Sequence, residues 1–385
     1  MTAIPFRNAV AVGREAEYIA QVIASSQFGN DGIFAARCGR LLEERLGARR
    51  VLLTSSCTAA LEIAALLADL GPGDEVIMPS FTFVATASAV VRTGATPVFV
   101  DIRPDTLNLD ERLVERAINE RTRALLPVHH AGVACDLTSL GEIAAKYQLT
   151  IIEDAAQGVA ARYRGQALGT IGALGCFSFH ETKSIHCGIG GALCVNRPEW
   201  VERAEMILDR GTDRAQFARG EVRYYSWTDI GSTFAPSEIT CAFLFAQLEQ
   251  LDEITARRRA QAECYAALLA PLAERGEIEL PRTPAECDGN GQTFCLLLPT
   301  AADRDGLIAF LRTREIQAVF HYVPLHHSPM GRRFGVVGTP LPVTESVSAR
   351  AVRLPLFHDL SAAQQEQVVD AVFGYAQRLR RRRAA

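Results

Sequence analysis

Through the first two-thirds of this chain, short apolar and β-branched runs recur at roughly regular intervals: VLLTSS, EVIMPS, TPVFVDI, RALLPVHH, LTIIEDA, LGCFSFH and GGALCV. Runs of that length and composition read as strands. Between most of the early ones lie helical patterns such as TAALEIAALLADL and LTSLGEIAAKYQ, closed by glycine or polar breaks. Strands that alternate with helices pair in parallel, because each helical crossover returns the chain to the same end of the sheet. The expected fold class is therefore α/β, a mainly parallel sheet wrapped by helices. A long helical stretch from about Pro236 to Ala273 follows, and TFCLLLP, DRDGLIAFLRTRE and AVFHYVPLHH then suggest a smaller α+β unit. At 385 residues two domains are expected, with residues 1–250 as the large one and 251–385 as the small one.

Composition narrows the function classes. A 48% hydrophobic and 22% charged chain has enough apolar material to fold throughout. Its apolar runs are broken by Gly, Pro or charge, and its start lacks a basic segment followed by a long apolar one, so neither a membrane span nor a signal peptide is expected. Ten cysteines scattered without a CxxC pair point to a reducing, cytoplasmic setting rather than a disulfide framework. A formal charge of −4 gives no reason to expect nucleic-acid binding, and the basic tail from Arg378 to Arg383 reads as a solvated helix end.

In open α/β sheets, ligands bind beyond the carboxyl ends of the strands, and three such ends carry polar residues. After VLLTSS, the residues Cys57 and Thr58 open a helix whose free N–H groups would meet an anion, although a plain helix cap reads the same way. After LTIIED, Glu153 and Asp154 offer a carboxylate that could cap the next helix or pair with a protonated ring nitrogen. After LGCFSF, Lys183 lies between a buried strand and the glycine-rich turn Gly188–Gly191, an odd place for an ammonium group. Desolvation there would lower its pKa and make the amine nucleophilic. A lysine, a carboxylate and a phosphate-binding helix start are together what pyridoxal 5'-phosphate requires.

These residues sit in strings, SSCTAALE, GDEVIMPSFTFVATA, FVDIRPDTLNLD, PVHHAG, IIEDAAQ, FSFHETK and FHYVPLHH, that resemble the DegT/DnrJ/EryC1/StrS sugar-nucleotide aminotransferases from about Pro5 to Ser361. The resemblance implies an aspartate-aminotransferase-like fold (fold type I): a large domain with a mainly parallel seven-stranded sheet and a smaller C-terminal α+β domain. It also implies that Lys183 bonds covalently to the cofactor, that Cys57, Thr58 and Ser178 bind its phosphate, that Asp154 faces the ring nitrogen, that Gln157 hydrogen-bonds the ring oxygen or phosphate, and that Phe83 stacks on the ring. Ser232 stands where many members place an Asn that reaches the partner subunit's phosphate site, so a homodimer with shared active sites is implied. His321, Tyr322 and His326 would lie near the sugar-nucleotide pocket. The usual GEGG turn is here Gly188-Ile189-Gly190-Gly191, which lacks the carboxylate.

Within that family the strings are most similar to enzymes that move the amino group of L-glutamate to C4 of dTDP-4-dehydro-6-deoxy-D-glucose, giving dTDP-4-amino-4,6-dideoxy-D-galactose. The gluco epimer is the alternative product. Lys183 argues against the relatives that remove a hydroxyl group, where a histidine replaces the lysine, and against a non-catalytic binding role. The absence of GxGxxG after any early strand argues against a dinucleotide dehydrogenase. His129 and His130, read as strand neighbours, would face opposite sides, so at least one is structural. His321, His326 and His327 have no carboxylate or cysteine at a supporting spacing, and no metal is expected.

Overall fold

The computed structural model describes the backbone of residues 3–384 and the side chains of residues 3–381. All seven apolar runs form strands of one sheet, in the order Val51–Thr54, Gly191–Val195, Leu174–Ser178, Thr150–Asp154, Thr122–Leu125, Glu75–Pro79, Thr96–Val100. An eighth strand of two residues, Val336–Val337, pairs in parallel with Thr96–Val100 at the edge. It comes from far along the chain and is too short to leave a pattern, so a count of seven from the early runs misses it. Gly191–Val195 alone runs antiparallel to its neighbours.

Period-two alternation distributes the core over both faces of this sheet. Leu52, Met78 and Cys176 pack on one side with Leu61, Ile63 and Leu67 of the helix Cys57–Leu67, while Val51, Leu53 and Phe177 pack on the other with Tyr18, Phe34 and Phe245. Both faces are covered, and most of these strands are therefore buried throughout rather than alternating with polar residues.

The long helical stretch divides into Glu238–Glu249 and Leu251–Glu274. Beyond it the three strands Phe294–Leu297, Ala351–Leu354 and Val319–Phe320 form an antiparallel sheet with Ala351–Leu354 in the middle. Helices Ala301–Arg312 and Ala362–Ala384 join it in a separate hydrophobic cluster around Leu296, Phe310, Val352 and Tyr375. Ile4, grouped by sequence position with the first 250 residues, packs into this second cluster through a bridge to Ile316. In the tail, Arg378, Arg380 and Arg381 are exposed, and the side chains of Arg382 and Arg383 lie outside the described residues. No helix among the described residues is long and apolar enough to cross a membrane, and all ten cysteines are unpaired.

Candidate active site

The carboxyl ends of Val51–Thr54, Thr150–Asp154 and Leu174–Ser178 converge on a cavity of about 330 Å³. Cys57, Thr58, Phe83, Asp154, Gln157, Ser178, Lys183 and Tyr322, all expected at the site, line it. A wider cleft of about 410 Å³ beside the helix Leu251–Glu274 contains none of them.

At one end of the cavity the helix Cys57–Leu67 begins. Its cap is Ser56, whose Oγ accepts the Ala59 N–H at 3.1 Å. The plain-cap alternative thus falls to Ser56 and leaves Cys57 and Thr58 free. Their amides, at the first two helical positions, have no acceptor within the helix, and they face the cavity at its positive dipole end. Gly191 runs alongside, and a Cβ there would stand 2.4 Å from the Ser56 carbonyl carbon and 2.5 Å from the Cys57 nitrogen. Only glycine lets the two backbones come this close.

Asp154 lines the same cavity. It is buried, and its Oδ2 accepts from the Thr86 hydroxyl at 2.8 Å while Oδ1 accepts from the Ala156 N–H at 3.1 Å. Burial pushes its pKa up, against the downward pull of those donors and of Lys183. A carboxylate in this state gains from a cation placed against it. Lys183 is held by a turn in which its own N–H donates to the His180 carbonyl at 2.8 Å. Its pKa is lowered, chiefly by burial, with Cys57 and Asp154 pulling it up and Arg353 pushing it down. The ε-amine has no hydrogen-bond or ion-pair partner among the described residues and lines the cavity, and its lowered proton affinity favours the nucleophilic form.

The remaining walls are fixed by longer contacts. Gln157 accepts the Ala131 N–H at 2.7 Å and donates to the Tyr322 hydroxyl at 3.2 Å. Tyr322 holds its ring in the cavity with φ of 46°, a left-handed conformation that costs a non-glycine residue about 1 kcal/mol or more. Phe83 is 58% exposed at the rim, its ring centroid 6.4 Å from that of Tyr322. Ile189, in place of the usual carboxylate, is 64% exposed at the same rim.

Three expected residues lie elsewhere. His321 is buried behind Tyr322, its Nδ1 3.4 Å from His130 Nε2 and its ring packed on Phe81. His326 contacts Ser80 Oγ through Nδ1 at 2.7 Å and Glu345 through Nε2 at 3.5 Å. Ser232 is exposed on the loop after Trp227, outside this cavity. His129 and His130 are not on a strand, because the strand ends at Leu125 and His130 opens a 3-10 turn. Both are buried, and both are structural: His129 is bound to Glu153 and His130 to His321. Glu345 also lies 3.5 Å from His327, so the fold supplies a carboxylate that sequence spacing does not.

Sequence reasoning missed Phe6, Thr82, Thr86, Gln292, Thr293 and Arg353, which share the cavity. Arg353 was readable, because AVRLPLF sets one cation inside an apolar strand, the same signal that singles out Lys183.

A buried free amine, a buried carboxylate in the same cavity and a pair of helix-start amides beside the Ser178 hydroxyl suit pyridoxal phosphate at each of its polar points. The comparisons agree. The model of the DegT/DnrJ/EryC1/StrS aminotransferase family matches residues 11–373. The chain is 37% identical over 315 residues, 81% of each sequence, to a "pleiotropic regulatory protein" of Geobacillus stearothermophilus. It is 38% identical over 322 residues, 83% of this chain and 81% of the relative, to a dTDP-3-amino-3,4,6-trideoxy-alpha-D-glucose transaminase of Streptomyces venezuelae. Among solved structures, S. venezuelae DesV in complex with a ketimine intermediate superposes with a TM-score of 0.89 at 34% identity, over 98% of this chain and 99% of that one. This chain belongs to the DegT/DnrJ/EryC1/StrS aminotransferase family and is a pyridoxal-phosphate-dependent sugar aminotransferase.

Proposed function

We propose that the enzyme transfers the amino group of L-glutamate to C4 of dTDP-4-dehydro-6-deoxy-D-glucose, giving dTDP-4-amino-4,6-dideoxy-D-galactose, by two half-reactions at one site. The observation that carries the chemistry is the unpartnered amine of Lys183, desolvated in the same cavity as Asp154 and the free amides of Cys57 and Thr58. The dTDP sugar is supported by the resemblance of the TFVATA run after IMPSF, the RPDT segment and the GTIGALGCFSFHETK string, and by the dTDP in the S. venezuelae relative's name. That relative is named for a 3-amino product, and C3 amination of a dTDP-keto sugar is therefore the second reading.

Bound here, pyridoxal phosphate supplies an electron sink that allows a substrate carbon to lose and regain a proton. Lys183 would hold it covalently. Its amine, whose proton affinity burial lowers, would when free be placed to carry that proton between two carbons. Asp154, fixed by Thr86 and Ala156, would stabilise positive charge at the ring nitrogen. The amides of Cys57 and Thr58, with Ser178, would anchor the phosphate, and Gln157 would orient the ring through a side chain already held by Ala131 and Tyr322.

A homodimer is part of the proposal. Tyr224, Tyr225, Trp227 and Ile230 are exposed on one segment, Trp227 by 80%, and this segment leads directly to Ser232. Large apolar side chains concentrated in this way mark an interface. A second copy covering them would bring its Ser232 to a neighbouring site.

The test is an absorbance spectrum with pyridoxal phosphate before and after L-glutamate, for the wild type and Lys183→Ala, followed by NMR of the product from the 4-keto and 3-keto dTDP sugars. An imine band that glutamate bleaches only when Lys183 is present supports the reading, and no such band in the wild type sinks it. Amination of the 3-keto sugar alone would replace C4 by C3.

A further inference from the structure

One cluster of metal-ligating side chains lies outside the cavity that holds Lys183. His326 and His327 close the 3-10 turn Leu325–His327, and Glu345 lies in the first turn of the helix Pro342–Arg350. The two imidazole rings are 4.1 Å apart between centroids, and each turns its Nε2 to the same carboxylate oxygen, Glu345 Oε1, at 3.5 Å. The three ligand atoms all fall within 4.8 Å of one another. Zinc bonds of about 2.0–2.2 Å to nitrogen and oxygen set tetrahedral ligands about 3.3–3.5 Å apart, so two of the three edges already have the spacing that one ion requires.

A surface histidine beside a glutamate is commonly no more than a weak ion pair, and two features set this cluster apart. The His326 side chain is only 9% exposed, and its Nε2 is buried without a hydrogen-bond partner, the approach of Glu345 being too long to make one. A buried nitrogen left unpaired is costly, and a cation bonded to it removes that cost. The elements that carry the ligands are also fixed in advance. Ser80 Oγ lies 2.7 Å from His326 Nδ1 and accepts the His326 N–H at 3.1 Å, and the Leu325 N–H donates to the Ser80 carbonyl at 3.0 Å. With Nδ1–H donated to Ser80, the lone pair sits on Nε2, as metal-ligating histidines require. The helix is pinned by Asp101, whose carboxylate accepts the N–H groups of Val343 and Thr344 at 2.9 and 2.8 Å.

We propose that His326, His327 and Glu345 form a binding site for a divalent transition-metal ion of the zinc class, where sequence spacing gives no reason to expect one. The remaining coordination position opens on the solvent side, on which His327 and Glu345 are 46% and 55% exposed. Two imidazoles and one carboxylate suit zinc rather than magnesium or calcium, which take oxygen ligands. None of the three residues lines the cavity of Lys183, so the ion has no part in amino transfer. It ties the turn to the helix, and the same helix holds the Tyr322 carbonyl through the Ser348 hydroxyl at 2.6 Å. Its effect is to brace the wall that carries Tyr322.

The test titrates chelator-treated, cofactor-loaded enzyme with zinc chloride by calorimetry, for wild type, His327→Ala and Glu345→Ala, and repeats the titration with cobalt(II) by visible absorption. Both substituted positions are largely exposed, so the variants keep their fold. The wild type is expected to take up one zinc ion per chain with a Kd of about 1 μM or tighter. Losing an ion ligand should weaken binding by more than about 100-fold in either variant, beyond the effect of losing an outer-shell partner. Zinc at a hundredfold excess over Kd should raise the wild-type Tm by about 3 °C and leave that of the variants unchanged. The cobalt spectrum separates this site from the exposed thiol of Cys264, since thiolate ligands add a near-ultraviolet charge-transfer band. No zinc uptake by the wild type, uptake that survives both substitutions, or a cobalt signal of thiolate type alone would overturn the site.

Discussion

Glu153 and Asp154 are consecutive carboxylates at the end of one strand, and strand geometry sends them to opposite faces. Glu153 Oε1 accepts the N–H groups of Ile171 and Gly172 at 2.8 and 2.6 Å, and Oε2 accepts the Gly169 N–H at 2.7 Å and His129 Nε2 at 2.9 Å. His129 cannot reverse its role, because its Nδ1 already accepts the Cys135 N–H at 3.2 Å. In Glu153→Gln one oxygen becomes an NH₂ group that faces two donors, whichever way the amide turns. Two buried donors are stranded at about 1–3 kcal/mol each, so the variant should lose about 2–6 kcal/mol of stability. Asp154→Asn is the contrast. Its Oδ1 can keep the Ala156 N–H, and the Thr86 hydroxyl can turn to Thr82 Oγ1, 2.9 Å away, and accept from the new NH₂. That change should cost less than about 1 kcal/mol, because it also removes a buried charge, while slowing the first half-reaction by about 100-fold through loss of the ring-nitrogen partner. Urea unfolding of the cofactor-free proteins and single-turnover bleaching with L-glutamate measure the two effects. The division of labour would be refuted by a Glu153→Gln cost below about 1 kcal/mol, or by an Asp154→Asn variant as unstable as Glu153→Gln.

Three other outcomes are expected. Gly191→Ala, whose Cβ would stand 2.4 Å from the Ser56 carbonyl carbon, must displace the helix start at about 1–3 kcal/mol. It should weaken pyridoxal phosphate binding at least about 10-fold in a fluorescence titration, and unchanged affinity would remove the phosphate from this cradle. Burial depresses the His130 pKa from 6.5 to about 3. Its contribution to stability is therefore present above pH 6.5 and lost as pH falls from 6.5 toward about 3. Relative to pH 7, unfolding at pH 5 should show about 2 kcal/mol of acid destabilisation from this residue, and His130→Asn should abolish that component in urea titrations. Finally, Trp227→Glu with Tyr224→Glu should shift the protein from dimer to monomer in sedimentation velocity without lowering its Tm by more than a few degrees. A wild-type monomer at micromolar concentration would end the shared-site reading.

The polar ends of the early strands were legible in the sequence because strand, turn and helix start are local patterns. Cys57, Asp154, Ser178 and Lys183 follow one another on that rule, and one cavity collects them. Arg353 carries a different local signal, a lone cation inside an apolar run, and its strand lies outside the pattern of parallel strand ends. His321 and His326 show where local reading ends. Their partners, His130 and Ser80, are 191 and 246 residues away, and only the packing of this C-terminal segment against the loops after Thr122–Leu125 and Glu75–Pro79 brings them together. Whether a histidine faces the cavity or the rear of its wall depends on that packing. The edge strand Val336–Val337 was hidden for a related reason: two residues have no period.

That short strand has a mechanical consequence. The Gly338 N–H donates to the Phe99 carbonyl, the N–H groups of Val343 and Thr344 donate to Asp101, and the Leu325 N–H donates to the Ser80 carbonyl. The segment that presents Tyr322 is therefore riveted to the rim of the large sheet at several points, and Arg353 follows it after one short helix, Pro342–Arg350. Swinging this wall outward like a jaw would shear those rivets together. An enzyme that admits a small charged donor and then a bulky neutral sugar ring through one mouth must make the exchange with its frame fixed. The traffic is left to side chains at the threshold, Phe83 and Ile189 among them.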